Sequence, residues 1–319
     1  MKIKFGVFID PLYIPSMYGS LKEQALDAER LGFESVWVSD HLMWDNKPIV
    51  ECFATLSAIA SITQNIRLGS LVACNSYRYP SLLAKMGATL DVISKGRLEF
   101  GIGAGWNEEE YTAYGIPFPK SSIRIAQMRE GVEIIKRMWT QEDPSFTGEY
   151  FSITGARCEP KPIQKPHPPI TIGGSGEKLT LKAVAEYADR SNWMGSVAEF
   201  AHKLDVLKDH CSRVGRDYDE IEKSWMGRAM VGTDPQQLRN RLKKLYGIGR
   251  LRIRPSQPFD NWLENVVERG LVGSPSQCLA KIHEYANLGV TYFMICFLDA
   301  PSTDNMALFS ENVMSSLAS

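Results

Sequence analysis

Residues 31–41 read LGFESVWVSDH. A helix runs out at Leu31-Gly32, a short apolar strand follows over Ser35–Val38, and the strand stops on three polar residues, Ser39, Asp40 and His41. A buried strand that delivers an acid and an imidazole at its C-terminal end points to a (β/α)8 TIM barrel. In that fold every strand C-terminus opens on one face, where active sites sit.

The same alternation extends along the chain in both directions. Strands are predicted at Ile3–Phe8, Arg67–Ala73, Leu98–Ile102, Ile170–Ile172, Ser191–Met194, Ile221–Met230 and Tyr292–Phe297. Helices are predicted at Gly19–Leu31, Cys52–Thr63, Pro80–Ser94, Ile123–Trp139, Glu177–Ala188, Ala198–Val214, Pro235–Tyr246, Pro275–Leu288 and Asn305–Leu317. In the first of these, Leu21, Ala25, Ala28 and Leu31 share one face at helical spacing. Strands alternating with helices imply a parallel sheet, closed as a barrel or, as the structural alternative, open and doubly wound. No repeat and no break in composition divides the chain. It reads as one domain over residues 1–319, with irregular insertions near 144–169 and 247–259.

Composition excludes several classes. With 36 basic and 37 acidic residues the formal net charge is −1, which gives no basic patch for nucleic acid. No apolar run reaches the roughly 18 residues of a membrane span. The opening MKIKFGVFIDP has too short an apolar run for a signal peptide and reads as the first strand. Six cysteines lie scattered without CxxC spacing, as free thiols of a reducing cytoplasm would. No HExxH or Cys/His set suggests a metal, and no GxSxG elbow suggests a serine hydrolase.

Three stretches can carry chemistry. Asp40 and His41 can exchange and orient protons, or they can be a polar loop in which Asp40 serves as a cap. In LEFGIGAGWNEEEY, residues 98–111, alternate glycines at a strand end let a ring or another backbone approach closely. Trp106 stands where the last glycine of a dinucleotide GxGxxG would be, which argues against that site. Asn107 then reads as a helix cap with Glu108, Glu109 and Glu110 in the first turn. Glu108, nearest the strand end, is the functional candidate, against a plain solvated helix start. In ITIGGSG, residues 170–176, a strand runs into Gly173, Gly174, Ser175 and Gly176 and then a helix. Such a turn can cradle a phosphate, or it can be a tight turn that needs glycine for geometry alone. Cys74, at the end of strand three, reads as packing more readily than as a nucleophile.

Four stretches together resemble the bacterial luciferase-like flavin oxidoreductases. They are LGFESVWVSDH, residues 67–119 (RLGSLVACNSYRYPSLLAKMGATLDVISKGRLEFGIGAGWNEEEYTAYGIPFP), residues 161–176 (KPIQKPHPPITIGGSG) and residues 272–290 (VGSPSQCLAKIHEYANLGV). The subgroup most similar uses the deazaflavin coenzyme F420; other members use FMN. The resemblance implies a TIM barrel, commonly a homodimer, with Asp40 and His41 beside the deazaflavin ring. It sets Trp44 near an active-site tryptophan of the F420-dependent sugar-phosphate dehydrogenases, one residue closer to Asp40 than in that group. Asn107-Glu108 matches their Asn-Glu pair, whose glutamate serves as an acid. A non-prolyl cis peptide behind the ring falls near Leu71-Val72, with Cys74 close by, and Gly173 to Gly176 match the phosphate-tail site.

The expected activity is hydride transfer between F420 and a small organic substrate. His41 or Glu108 would exchange the proton, and Asp40 would orient His41 or bond the ring. The alternatives are an FMN-dependent monooxygenase using oxygen and a barrel that only binds a coenzyme or phosphate ligand.

Overall fold

The structure, a computed structural model, describes residues 2–9, 17–45, 47–247 and 257–317. Its strands are β1 (Lys4–Ile9), β2 (Ser35–Val38), β3 (Arg67–Ser70), β4 (Ala73–Cys74), β5 (Leu98–Gly103), β6 (Phe146–Thr147), β7 (Ser152–Ile153), β8 (Ile170–Gly173), β9 (Arg190–Trp193), β10 (Glu222–Val231), β11 (Leu271–Gly273) and β12 (Val290–Phe297). Parallel pairing runs β12-β1-β2-β3-β5-β8-β9-β10, and β10 pairs back onto β12. The sheet therefore closes on itself as an eight-stranded parallel barrel, the (β/α)8 architecture, and the open doubly wound alternative is set aside.

Helices α1 (Met17–Arg30), α2 (Cys52–Ile62), α3 (Pro80–Ile93), α4 (Glu108–Ala113), α5 (Ser121–Thr140), α6 (Thr180–Tyr187), α7 (Val197–Val214), α8 (Pro235–Gly247), α9 (Phe259–Arg269), α10 (Pro275–Asn287) and α11 (Asp304–Phe309) follow the strands in the chain. Outward strand residues such as Val36, Val38, Leu68 and Phe100 join helix residues such as Leu21, Leu56 and Leu83 in one large apolar core. None of the described helices is long and apolar enough to cross a membrane.

The barrel interior holds a smaller cluster built on Trp37, with Phe8, Leu71, Tyr292 and Met294 around it. The strands beside β2 are glycine where Trp37 lies. A Cβ on Gly69 would sit 2.2 Å from the indole, and one on Gly6 would sit 2.7 Å from its Nε1. Small residues on the flanking strands thus make room for one large ring, as the alternating layers of a barrel require. At the N-terminal end, Arg190 donates to Glu99 at 2.6 Å and to Glu222 at 2.7 Å, while Lys4 reaches Glu222 at 2.9 Å. This ion network closes the barrel at the end away from the strand C-termini.

Several boundaries differ from expectation. Strand three breaks after Ser70: Leu71-Val72 is a cis peptide, as the resemblance implied, and pairing resumes in β4 against β5. Within the first insertion, β6 and β7 pair as an antiparallel hairpin, Phe146 opposite Ile153 and Thr147 opposite Ser152. Helix α6 begins at Thr180 and not at Glu177, because residues 177–179 form an exposed turn. Phe259, the last residue of the expected second insertion, opens α9. Residues 248–256 of that insertion lie outside the described residues. Helix α9 and strand β11 have no counterpart in the sequence reading. Strand β11 pairs with Ala229–Val231 of β10, beyond the point where β9 has ended.

Candidate active site

A cavity of about 690 Å³ opens at the strand C-termini, within the usual size range of small-molecule sites. Its floor is apolar, from Phe8, Leu71, Val72 and Met226. The glycines of β5 and β8 exist to admit Val72: a Cβ on Gly103 would lie 2.6 Å from its Cγ2, and one on Gly173 would lie 2.7 Å from its Cγ1. Gly101 is needed for the same break, because its Cβ would lie 2.0 Å from the Ser70 carbonyl. The three alternate glycines of the sequence are thus explained in part by the turn-in of residues 71–72, a raised ridge against which a flat ring can lie.

His41 enters this cavity from the end of β2. Its Nδ1 lies 3.0 and 2.9 Å from the two oxygens of Glu110. Glu110 is fully buried and accepts three further bonds: Tyr77 Oη at 2.6 Å, Leu42 N–H at 3.1 Å and Met43 N–H at 3.2 Å. Burial alone would raise its pKa. The bonds from His41, Tyr77 and the Met43 amide outweigh that and hold the carboxyl below the usual glutamate value. An ionised carboxylate accepts only, so His41 donates to it from Nδ1–H, which leaves Nε2 as the ring nitrogen that can exchange a proton. The His41 ring is also held edge-on between Trp44, 5.0 Å away, and Trp106, 5.9 Å away.

The carboxylate beside His41 is Glu110 and not the expected Glu108. Glu108 is exposed and does not line the cavity. The reason is helical phase: α4 turns about 100° per residue, so its first residue faces solvent and its third faces His41. Asn107 lines the cavity but makes no capping bond with its side chain.

Asp40 does not bond His41 in this arrangement. It is buried and forms a two-pronged pair with Arg78, at 2.7 and 2.9 Å, while accepting the Cys74 amide at 2.8 Å. Arg78 also pairs with Glu51. Asp40 thereby ties the end of β2 to the end of β4, just past the ridge at residues 71–72. Cys74 lines the cavity, but burial pushes its thiol up to about 11, so it stays neutral.

At the other end of the cavity lies the turn after β8. Gly173, Gly174 and Gly176 line it, and Ser175 does not. Gly174 has φ +128°, a conformation that demands glycine. Its amide is already used, donating to the Asn192 carbonyl at 3.0 Å, so an anion here would meet the amides that follow. Thr180 packs against Gly174 and Gly176, and Arg124, which donates to the Gly105 and Pro119 carbonyls, also lines the cavity. Among the described lining residues Arg124 is the sole Lys or Arg side chain. It is buried, stacks on Phe118 at 3.9 Å and has no carboxylate partner among the described residues. Sequence reasoning missed Arg124, Glu110 and Tyr77, because each comes from an element other than the strand end it serves.

Three comparisons place this geometry. The chain is 27% identical to an F420-dependent glucose-6-phosphate dehydrogenase of Kineococcus radiotolerans, over 92% of this chain and 90% of that protein. It has the fold of an F420-dependent secondary alcohol dehydrogenase solved with an F420-acetone adduct, at TM-score 0.82 and 21% identity, covering 99% of both chains. It has equally the fold of monooxygenase RslO1 from Streptomyces bottropensis, at TM-score 0.84 and 23% identity, covering 98% of this chain and 99% of that one. The sequence model for luciferase-like monooxygenases matches residues 3–292, nearly the whole barrel, and the chain belongs to that family.

Proposed function

We propose that the protein is an F420-dependent oxidoreductase acting on the alcohol or carbonyl group of a small organic molecule. The observation that carries this reading is the His41–Glu110 pair at the wall of a cavity that a glycine turn and Arg124 also line. The named F420-dependent relative matching over nine-tenths of the chain supports it.

The residues fit the coenzyme. The ridge at Leu71-Val72 and the apolar floor suit a flat ring, and Arg124, Thr180 and the turn at Gly174–Gly176 suit a phosphate. F420, when bound, supplies a hydride acceptor or donor. The protein handles the proton. As hydride leaves an alcohol carbon, the hydroxyl proton passes to His41 Nε2 and a C=O bond forms; in the reverse direction His41 returns it. Glu110 stabilises the imidazolium so formed and fixes which nitrogen faces the substrate. Tyr77 and the Leu42 and Met43 amides keep Glu110 itself from taking the proton. On family grounds the protein is also taken to be a homodimer, for which sedimentation gives the assembly state, and its scattered free cysteines suit a cytoplasmic location.

The phosphate end has its own test. Gly174→Val strains the φ of +128° and drives a side chain toward Thr180 Cγ2, 3.1 Å from the first added carbon. The variant should bind F420 about tenfold or more weakly, the worth of a charge-assisted hydrogen bond. It should bind the phosphate-free deazaflavin headgroup as the parent does. Equal losses for both ligands would make the turn purely structural.

Oxygen separates this reading from the monooxygenase one. Anaerobic reduction of F420 by an alcohol panel is expected. Consumption of oxygen with reduced FMN, and no F420 chemistry, would overturn it.

A further inference from the structure

Two buried carboxylates stand close to His41: Asp40, next to it in the chain, and Glu110, bonded to its ring. Adjacent residues past β4 serve them. Arg78 pairs with Asp40 at 2.7 and 2.9 Å. Tyr77, the last residue of the short 3-10 helix Asn75–Tyr77, donates its hydroxyl to Glu110 at 2.6 Å. Asp40 is thus matched by a full cation. Glu110 has no Lys or Arg partner among the described residues; its donors are His41, Tyr77 and the Leu42 and Met43 amides. Its negative charge stays available to an imidazolium.

These donors differ in strength. An O–H···O⁻ bond of 2.6 Å falls in the short, charge-assisted range, whereas the two amides lie at 3.1 and 3.2 Å. Tyr77 is therefore the strongest competitor of His41 for the carboxylate charge. Its half-buried ring lines the main cavity and is set against Tyr111, 5.3 Å away. Burial, the bond to Glu110 and the neighbouring Cys74 and Tyr111 push its phenol above the usual range, so it remains a donor. The other hydroxyls nearby are bonded elsewhere. Tyr111 meets Cys74 and the Ala104 carbonyl, and Tyr114 donates to the Leu42 carbonyl.

We propose that Tyr77 is a positioning residue that sets how tightly His41 holds a proton, and through it the pH at which each direction of the reaction runs. By taking part of the Glu110 charge, the phenol weakens the stabilisation of the imidazolium. Without it, the carboxylate gives more of that charge to the Nδ1–H, and His41 binds its second proton more tightly. Oxidation of an alcohol needs a neutral His41 to accept the hydroxyl proton at Nε2. Reduction of a carbonyl needs the ring already protonated. A tighter hold therefore carries both pH optima upward, while the overall equilibrium, a property of the reactants, does not move. The link to direction rests on the oxidoreductase reading; the tuning of His41 does not.

The test uses the protein without coenzyme. The His41 ring signals, identified by their loss in His41→Gln, are followed by NMR as pH is varied. Tyr77→Phe keeps the ring and removes only the hydroxyl. It should hold the imidazole proton about three- to tenfold more tightly than the parent, part of the worth of one charge-assisted bond. Site-specific 3-fluorotyrosine in place of Tyr77, a more acidic and stronger donor, should move the midpoint the other way, and it serves if Tyr77→Phe does not fold. Tyr111→Phe removes a neighbouring hydroxyl that does not reach Glu110 and should leave the midpoint in place. A midpoint unchanged or lowered in Tyr77→Phe overturns the proposal. So does an equal rise in Tyr111→Phe, or a rise with the fluorinated ring. With F420 and an alcohol, the pH optimum of oxidation in Tyr77→Phe should climb with the His41 midpoint. A midpoint that moves as expected in a protein without F420 turnover would keep the tuning and remove the oxidoreductase reading.

Discussion

Replacing His41 by alanine is expected to lower kcat by about 10²–10⁴-fold, the usual contribution of a positioned proton-transfer group, while F420 affinity changes little. The expectation follows from geometry. His41 is the cavity-lining imidazole, its Nδ1 is taken by Glu110 at 2.9 Å, and its Nε2 is left for substrate. Glu110→Gln separates the proton from the position. The amide can still meet His41 but carries no charge to stabilise an imidazolium, so kcat should fall with KM nearly unchanged. Because Glu110 is held below its ordinary pKa, its own protonation costs activity only below the usual glutamate range. Full kcat in His41→Ala would remove the catalytic assignment.

The second large effect concerns stability and sits at the opposite end of the barrel. Arg190 is 4% exposed, pairs with Glu99 and Glu222, and packs its guanidinium over the Tyr292 ring at 4.5 Å. Removing one partner of a buried ionic cluster typically costs about 3–5 kcal/mol, because the remaining charges stay buried. Arg190→Met should therefore lower the unfolding free energy in urea by that amount while the native fraction keeps its coenzyme affinity. A loss under about 1 kcal/mol, the range of exposed pairs, would mean that Arg67, which also pairs with Glu99, and Lys4 satisfy the two glutamates without it.

The barrel was legible from residues 31–41 because a strand that is apolar through Val38 and polar at Ser39–His41 leaves little else for its end to be. His41 was legible for the same reason. Its carboxylate partner was not. Glu108, Glu109 and Glu110 are equivalent in composition, and only the phase of α4 against β2 selects the third. The partner of Asp40 had a usable signal: a buried aspartate demands a cation, and Arg78 in the loop after β4 was available to supply it. Arg124 lies on α5, far from the glycine turn in sequence, and only closure of the barrel brings the two to one cavity. Helix α9 and strand β11 escaped notice because a three-residue strand carries no periodicity. Its pairing is decided by where β9 stops.

The central claim is that this member of the luciferase-like family works with a deazaflavin. Equilibrium titration of the purified protein with oxidised F420 and with FMN, side by side under one buffer and ionic strength, tests it most directly. The account predicts the tighter dissociation constant for F420. Equal or tighter binding of FMN would contradict it and assign the cavity, its ridge and its phosphate turn to a flavin.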